Sequence, residues 1–160
     1  MLTLVLVVLS AGPLDGEGFR DVKGPLVLQL GPVKATLRAS VSLRVQDLAR
    51  YGPGGEGLGY IDWRWPGGAN SDGLTLTFDR PVSFVSLEAG DWGSDDDGPL
   101  ELTAWDCEHR LVATVTKPWG IAREWPFETL RVEGQGICRV RYRSGGPYAG
   151  STFITRLRAE

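Results

Sequence analysis

The sequence is poor in the residues on which most enzyme chemistry depends. Its single histidine, His109, is the only imidazole from which a Ser-His-Asp or Cys-His arrangement could be built, and it sits in a charged stretch between two apolar runs. Cys107 and Cys138 are the only cysteines, and with so few thiols and imidazoles their spacing fits no zinc motif. Phosphate loops, dinucleotide fingerprints and haem attachment motifs are absent. There is no basic excess: the formal net charge is −3, which removes the electrostatic case for nucleic acid. No apolar run approaches the ~20 residues that a membrane-spanning helix needs. Helical periodicity is scarce too. Val45 to Tyr51 alone offers it, and Gly52-Pro53-Gly54-Gly55 follows at once.

What the chain does have is period-two alternation. Leu74, Leu76 and Phe78 alternate with Thr75, Thr77 and Asp79, and Leu100 to Ala104 repeats the pattern. Leu130 and Val132 alternate with Thr129, Arg131 and Glu133, and Val140 and Tyr142 with Arg139, Arg141 and Arg143. Near the end, Phe153, Thr155 and Leu157 share one face and Ile154, Arg156 and Arg158 the other. Further strands are expected at Leu26 to Leu30, Val33 to Ala39, Val41 to Val45, Val82 to Leu87 and Leu111 to Thr116, with a hairpin turn at Asp106 to His109. The 22 glycines and 10 prolines are spread along the chain, as suits short strands joined by turns. At 160 residues with 42% hydrophobic composition, the chain can bury a core as one domain. The expected fold is all-β: a two-sheet antiparallel β-sandwich, jelly-roll-like.

Met1 to Ala11 has two readings, a short secretory signal with Leu2 to Leu9 as its apolar centre, or a first strand. Residues 12–160 then form the single sandwich domain. The cysteines also leave two readings open. Cys138 shares a face with Val140 and Tyr142, while Cys107 points outward or lies in a turn, so free thiols and a disulfide both fit.

Three stretches in order, Asn70 to Gly93, Pro99 to Thr116, and Gly134 to Gly146 leading to Phe153 to Leu157, together resemble the galactose-binding-like jelly-roll domains of bacterial secreted and surface proteins. The resemblance runs from about Asn70 to Leu157. It departs from the family's pattern at Trp105, where a tyrosine is common, and at Thr155, where an aspartate is common. The family includes carbohydrate-binding modules, so the resemblance implies a non-catalytic binding module, exported or on the cell surface, with a carbohydrate or surface polymer as partner. A structural or adhesion domain without a small-molecule ligand is the alternative, and a cytoplasmic location goes with the strand reading of Met1 to Ala11.

Two constellations could carry binding chemistry. The chain has 6 tryptophans, and Trp63 and Trp65 stand two apart, on one face if extended, with Tyr60 nearby and Asp62 and Arg64 on the other parity. Exposed rings at this spacing stack on sugar C–H faces, while Asp62 and Arg64 can bond hydroxyls. Asp91, Asp95, Asp96 and Asp97 crowd a glycine-bounded loop, and clustered carboxylates of this kind can supply oxygens to calcium. A third, remote option is a glycoside-cleaving carboxylate pair, for which Glu88 and Asp106 are the candidates.

Overall fold

The computed structural model describes residues 7–8, 19–22, 24–39, 42–47, 56–61, 73–91, 99–118, 128–144 and 151–160. They form eleven strands in chain order: β1 (Val7–Val8), β2 (Phe19–Val22), β3 (Leu26–Leu30), β4 (Val33–Ala39), β5 (Ser42–Asp47), β6 (Glu56–Ile61), β7 (Leu74–Asp91), β8 (Leu100–Asp106), β9 (Leu111–Lys117), β10 (Glu128–Ser144) and β11 (Ser151–Ala159). Every pairing is antiparallel. None of the described residues is helical.

The strands make two layers that share β7 and β10. In the first layer, β1, β3 and β4 lead to the start of β7, which pairs through Leu74–Thr77 with Arg139–Tyr142 of β10, followed by β8 and β9. In the second, Glu128–Glu133 of β10 pairs with the end of β7, followed by β11, β6, β5 and β2. The long strands therefore pass from one layer to the other. Their register breaks between Glu133 and Ile137 and again before Arg139, which places the bend. The alternation records the same event. Leu74, Leu76, Phe78 and Val82 are buried, and then Val85, Leu87 and Ala89, so the inward face changes parity. Pro81 lies in this bend, where a strand tolerates a residue without an N–H. That is why Leu74 to Asp79 and Val82 to Leu87, expected as separate strands, are one.

The inner faces meet in a single core. Leu28, Leu30, Leu37, Leu74, Leu76, Leu102 and Tyr142 of the first layer join Leu87, Leu130, Ile154 and Leu157 of the second. Each fully buried leucine contributes about 1.5–3 kcal/mol. β11 and β3 also approach each other across the layers. The architecture is an antiparallel β-sandwich, as the alternation implies.

Two local readings change. Val45 to Asp47, read as the start of a helical stretch, belongs to β5 and pairs with Glu56 to Leu58 of β6, because Val45 packs at 0% exposure in the core. In β11 the inward residues are Ile154, Leu157 and Ala159, whereas parity put Ile154 on the face of Arg156 and Arg158. A bulge between Thr155 and Arg158, with Arg156 at φ 47°, inserts one residue and flips the face.

Candidate functional site

Six of the connections between the layers start and end at one edge. In the second layer this edge runs through Val22, Leu43, Ile61, Ser151, Asp91 and Glu128, joined by the pairings Val22 with Leu43, Ser42 with Ile61, Ile61 with Ser151, Thr152 with Asp91 and Ala89 with Glu128. In the first it runs through Leu26, Ala39, Leu74, Ser144, Leu100 and Lys117. The chain passes from one row to the other between Val22 and Leu26, Ala39 and Ser42, Ile61 and Leu74, Asp91 and Leu100, Lys117 and Glu128, and Ser144 and Ser151. Ala39 and Ser42 are three peptide units apart, so the rows come within about 11 Å there. A cavity of about 250 Å³ opens at this edge, lined by Val22, Gly24, Pro25, Arg38, Ala39 and Leu43.

This connectivity brings together the strand ends that flank most of the sequence's tryptophans. Segments 62–72, 92–98 and 119–127, each anchored at both ends on this edge, carry Trp63, Trp65, Trp92, Trp119 and Trp125, every tryptophan but Trp105. Of the expected sugar contacts, Tyr60 is placed by the backbone in β6, opposite Leu43 on one side and Thr152 on the other. Asp62, Trp63, Arg64 and Trp65 lie outside the described residues. Of the expected calcium ligands, Asp91 is the last residue of β7, opposite Thr152. Asp95, Asp96 and Asp97 lie outside the described residues, as do Trp92, Trp119 and Trp125. Tyr60 and Asp91 therefore occupy one cross-strand row, about 10 Å apart.

Trp105 sits elsewhere, half-buried on the outer face of the first layer. Arg139, its cross-strand partner, holds its guanidinium carbon 5.1 Å from the indole centroid, and that of Arg141 lies at 5.3 Å. The outward parity of all three residues is legible in the sequence, but their meeting depends on the pairing of β8 with β10, which it does not state.

Beyond Trp105 the β8–β9 hairpin closes on Asp106. Its Oδ1 accepts the backbone N–H groups of Glu108 at 3.0 Å and Arg110 at 2.9 Å, and its Oδ2 lies 2.6 Å from Arg110 Nε. Desolvation pushes the carboxyl up, but the hydrogen bonds and charge of Arg110 and the N–H of Glu108 outweigh it, leaving Asp106 below the ordinary carboxylate range. His109 takes the left-handed backbone region, φ 64°, which closes the turn. Cys107 and Cys138 are joined in a disulfide, with Cα atoms 5.1 Å apart, tying this hairpin to the bend of β10. Glu88 and Asp106 do not form a carboxylate pair. Glu88 lies in the second layer near the crossing edge, bound to Arg156 at 3.0 Å, whereas Asp106 is at the far end of the first.

No known family model and no curated protein sequence matches this chain. Among solved structures it is similar to a family 6 carbohydrate-binding module, with 13% identity and a TM-score of 0.44 over 78% of this chain and 85% of that one. It is also similar to a DUF4465 family protein from Bacteroides caccae, with 11% identity and a TM-score of 0.47 over 99% of this chain and 95% of that one. Neither similarity assigns a family. No helix among the described residues is long and apolar enough to cross a membrane.

Proposed function

We propose that this chain is a non-catalytic module that binds carbohydrate or a surface polymer, carried by an exported or surface protein. The observation that supports this reading best is the crossing edge. Segments 62–72, 92–98 and 119–127 hold all the tryptophans except Trp105, and the described strand ends that flank these segments lie on this edge. Trp63 and Trp65 are the stacking rings of this reading, with Tyr60, Asp62 and Arg64 flanking them and further hydroxyl contacts expected from a neighbouring strand or loop. Asp91, Asp95, Asp96 and Asp97 hold calcium at the end of β7, on the other side of β11 from β6. Each aromatic stack contributes on the order of 1 kcal/mol, so affinity is expected in the millimolar to micromolar range.

Affinity electrophoresis through gels containing soluble neutral polysaccharides tests the reading. The native chain is expected to be retarded by at least one polymer, and Trp63→Ala with Trp65→Ala to migrate freely while melting within a few degrees of the native chain. Unretarded migration in every gel, or equal retardation of the double variant, overturns it.

A further inference from the structure

The outer faces of the two layers differ in how their charges are satisfied. On the second layer, Arg156 pairs with Glu88 at 3.0 Å and Arg131 with Glu133. On the first, Arg143 pairs with Glu101 at 3.0 Å, but Arg139 and Arg141 have no carboxylate partner among the described residues. Their Nε–H groups are buried and donate to no acceptor there. Two guanidinium charges without a counter-charge on the protein are costly, and an anion arriving from outside at their terminal NH groups would offset that cost. The indole of Trp105, over whose ring both guanidiniums lie, keeps both in place and partly desolvated, which strengthens any charge-assisted bond they make.

A groove of about 430 Å³ opens beside this trio, with Thr75, Thr77, Arg80 and Arg139 in its wall. The carboxylates at its rim are already engaged, Asp106 by Arg110 and Asp79 by the backbone N–H of Lys34 at 3.0 Å. Arg38 stands in the same cross-strand row as Thr75 and Arg141. Arg139 and Arg141 stand two apart on one strand face, with backbone positions about 7 Å apart, and each carries a planar donor fork suited to carboxylates. The threonine hydroxyls complement sugar hydroxyls, and the exposed part of the indole complements C–H surface. A nucleic acid fits less well, because it draws affinity from many phosphate contacts and the chain as a whole is anionic at −3.

We propose that the outer face of the first layer, where Arg139 and Arg141 flank Trp105 beside the groove, is a second binding surface, for a saccharide chain bearing carboxylates. It is separate from the crossing edge and does not depend on the tryptophans there.

Calorimetric titration with fragments of polygalacturonate, alginate and hyaluronan, and with the methyl esters of the same fragments, tests the proposal. At least one acid fragment is expected to bind, and its ester at least tenfold more weakly. Arg139→Gln and Arg141→Gln should each weaken binding at least tenfold. Arg139→Lys, which keeps the charge but loses the fork, should recover only part of it. Arg158→Gln on the other layer, and the Trp63→Ala, Trp65→Ala double variant, should leave it unchanged. Thermal melts of each variant confirm folding. Failure of every acid fragment to bind, equal binding of acid and ester, or insensitivity to Arg139→Gln and Arg141→Gln overturns the proposal. So does loss of acid binding in the crossing-edge double variant, or equally tight binding of a DNA duplex with the same dependence on Arg139. Failure in the neutral-polymer gels would instead overturn the crossing-edge reading and leave this one standing.

Discussion

Tyr60 and Asp91 stand opposite the same residue, Thr152, one on each side of β11. β6 and β7 thus run in the same direction and end together. The chain leaves Ile61 toward Trp63 and Trp65, and leaves Asp91 toward Asp95, Asp96 and Asp97, from neighbouring points of one edge.

If the acidic segment binds calcium, the ion should stabilise the strand end from which it departs. Millimolar calcium is expected to raise the melting temperature of the native chain, since a ligand that binds only the folded state stabilises it by mass action. Replacement of Asp95, Asp96 and Asp97 by asparagine should abolish the increase. An unchanged melt with calcium would show that these carboxylates are only solvated.

Removing the disulfide tests how much the far end of the sandwich relies on it. Cys107 and Cys138 are 31 residues apart. Closing a loop of that length constrains the unfolded chain by about 3–4 kcal/mol. Cys107→Ser with Cys138→Ser should lower stability by roughly that amount in denaturant titrations, with mainly β circular dichroism retained. A loss well under 1 kcal/mol would mean that the unfolded chain gains little from the constraint.

Asp106 makes the β8–β9 hairpin sensitive to acid. Its folded carboxyl is held below the ordinary range, so the stabilisation is complete above the unfolded value of about 3.9 and fades as pH falls through the lower folded value. Amide exchange at Glu108 and Arg110, whose N–H groups it accepts, should accelerate in that acid window. In Asp106→Asn the two amides should exchange faster at neutral pH and lose this pH dependence. Identical profiles for the two proteins would remove the carboxylate from the account.

Gly73 immediately precedes β7 with φ 70°, and a methyl group there would collide with the carbonyl oxygen of Tyr142. Both terms act against any side chain, and the obstacle is backbone. Gly73→Ala is expected to destabilise by more than about 1 kcal/mol, measured by thermal or urea unfolding. Gly24→Ala, also at positive φ but with open space around it, isolates the conformational part and should cost less.

The layers were legible where the two-residue period is unbroken, as in Leu74 to Phe78 and Leu100 to Ala104. It misled where the backbone inserts a residue. The bulge at Arg156 turns Ile154 inward, and nothing in Ile-Thr-Arg-Leu marks it. Val45 to Tyr51 looked helical because seven residues cannot show which period wins without the partner strand. The disulfide was open because strand parity says which way a thiol faces, not which thiol it meets. For the binding residues, the sequence shows Trp63, Trp65 and the aspartates. That the strand ends flanking them share one edge follows from strand order, which is a long-range property. Arg139, Arg141 and Trp105 were visible as outward residues, but the absence of a carboxylate opposite the two arginines is a fact of register.

Because β7 and β10 belong to both layers, neither sheet has a complete set of neighbours without the other. The amides of Leu74 to Gly90 and of Glu128 to Tyr142 are the ladder that both halves of the molecule hang from. Releasing them requires the whole domain to open, whereas β2 at one margin and β9 at the other can fray alone. The central ladder therefore keeps time with global unfolding only.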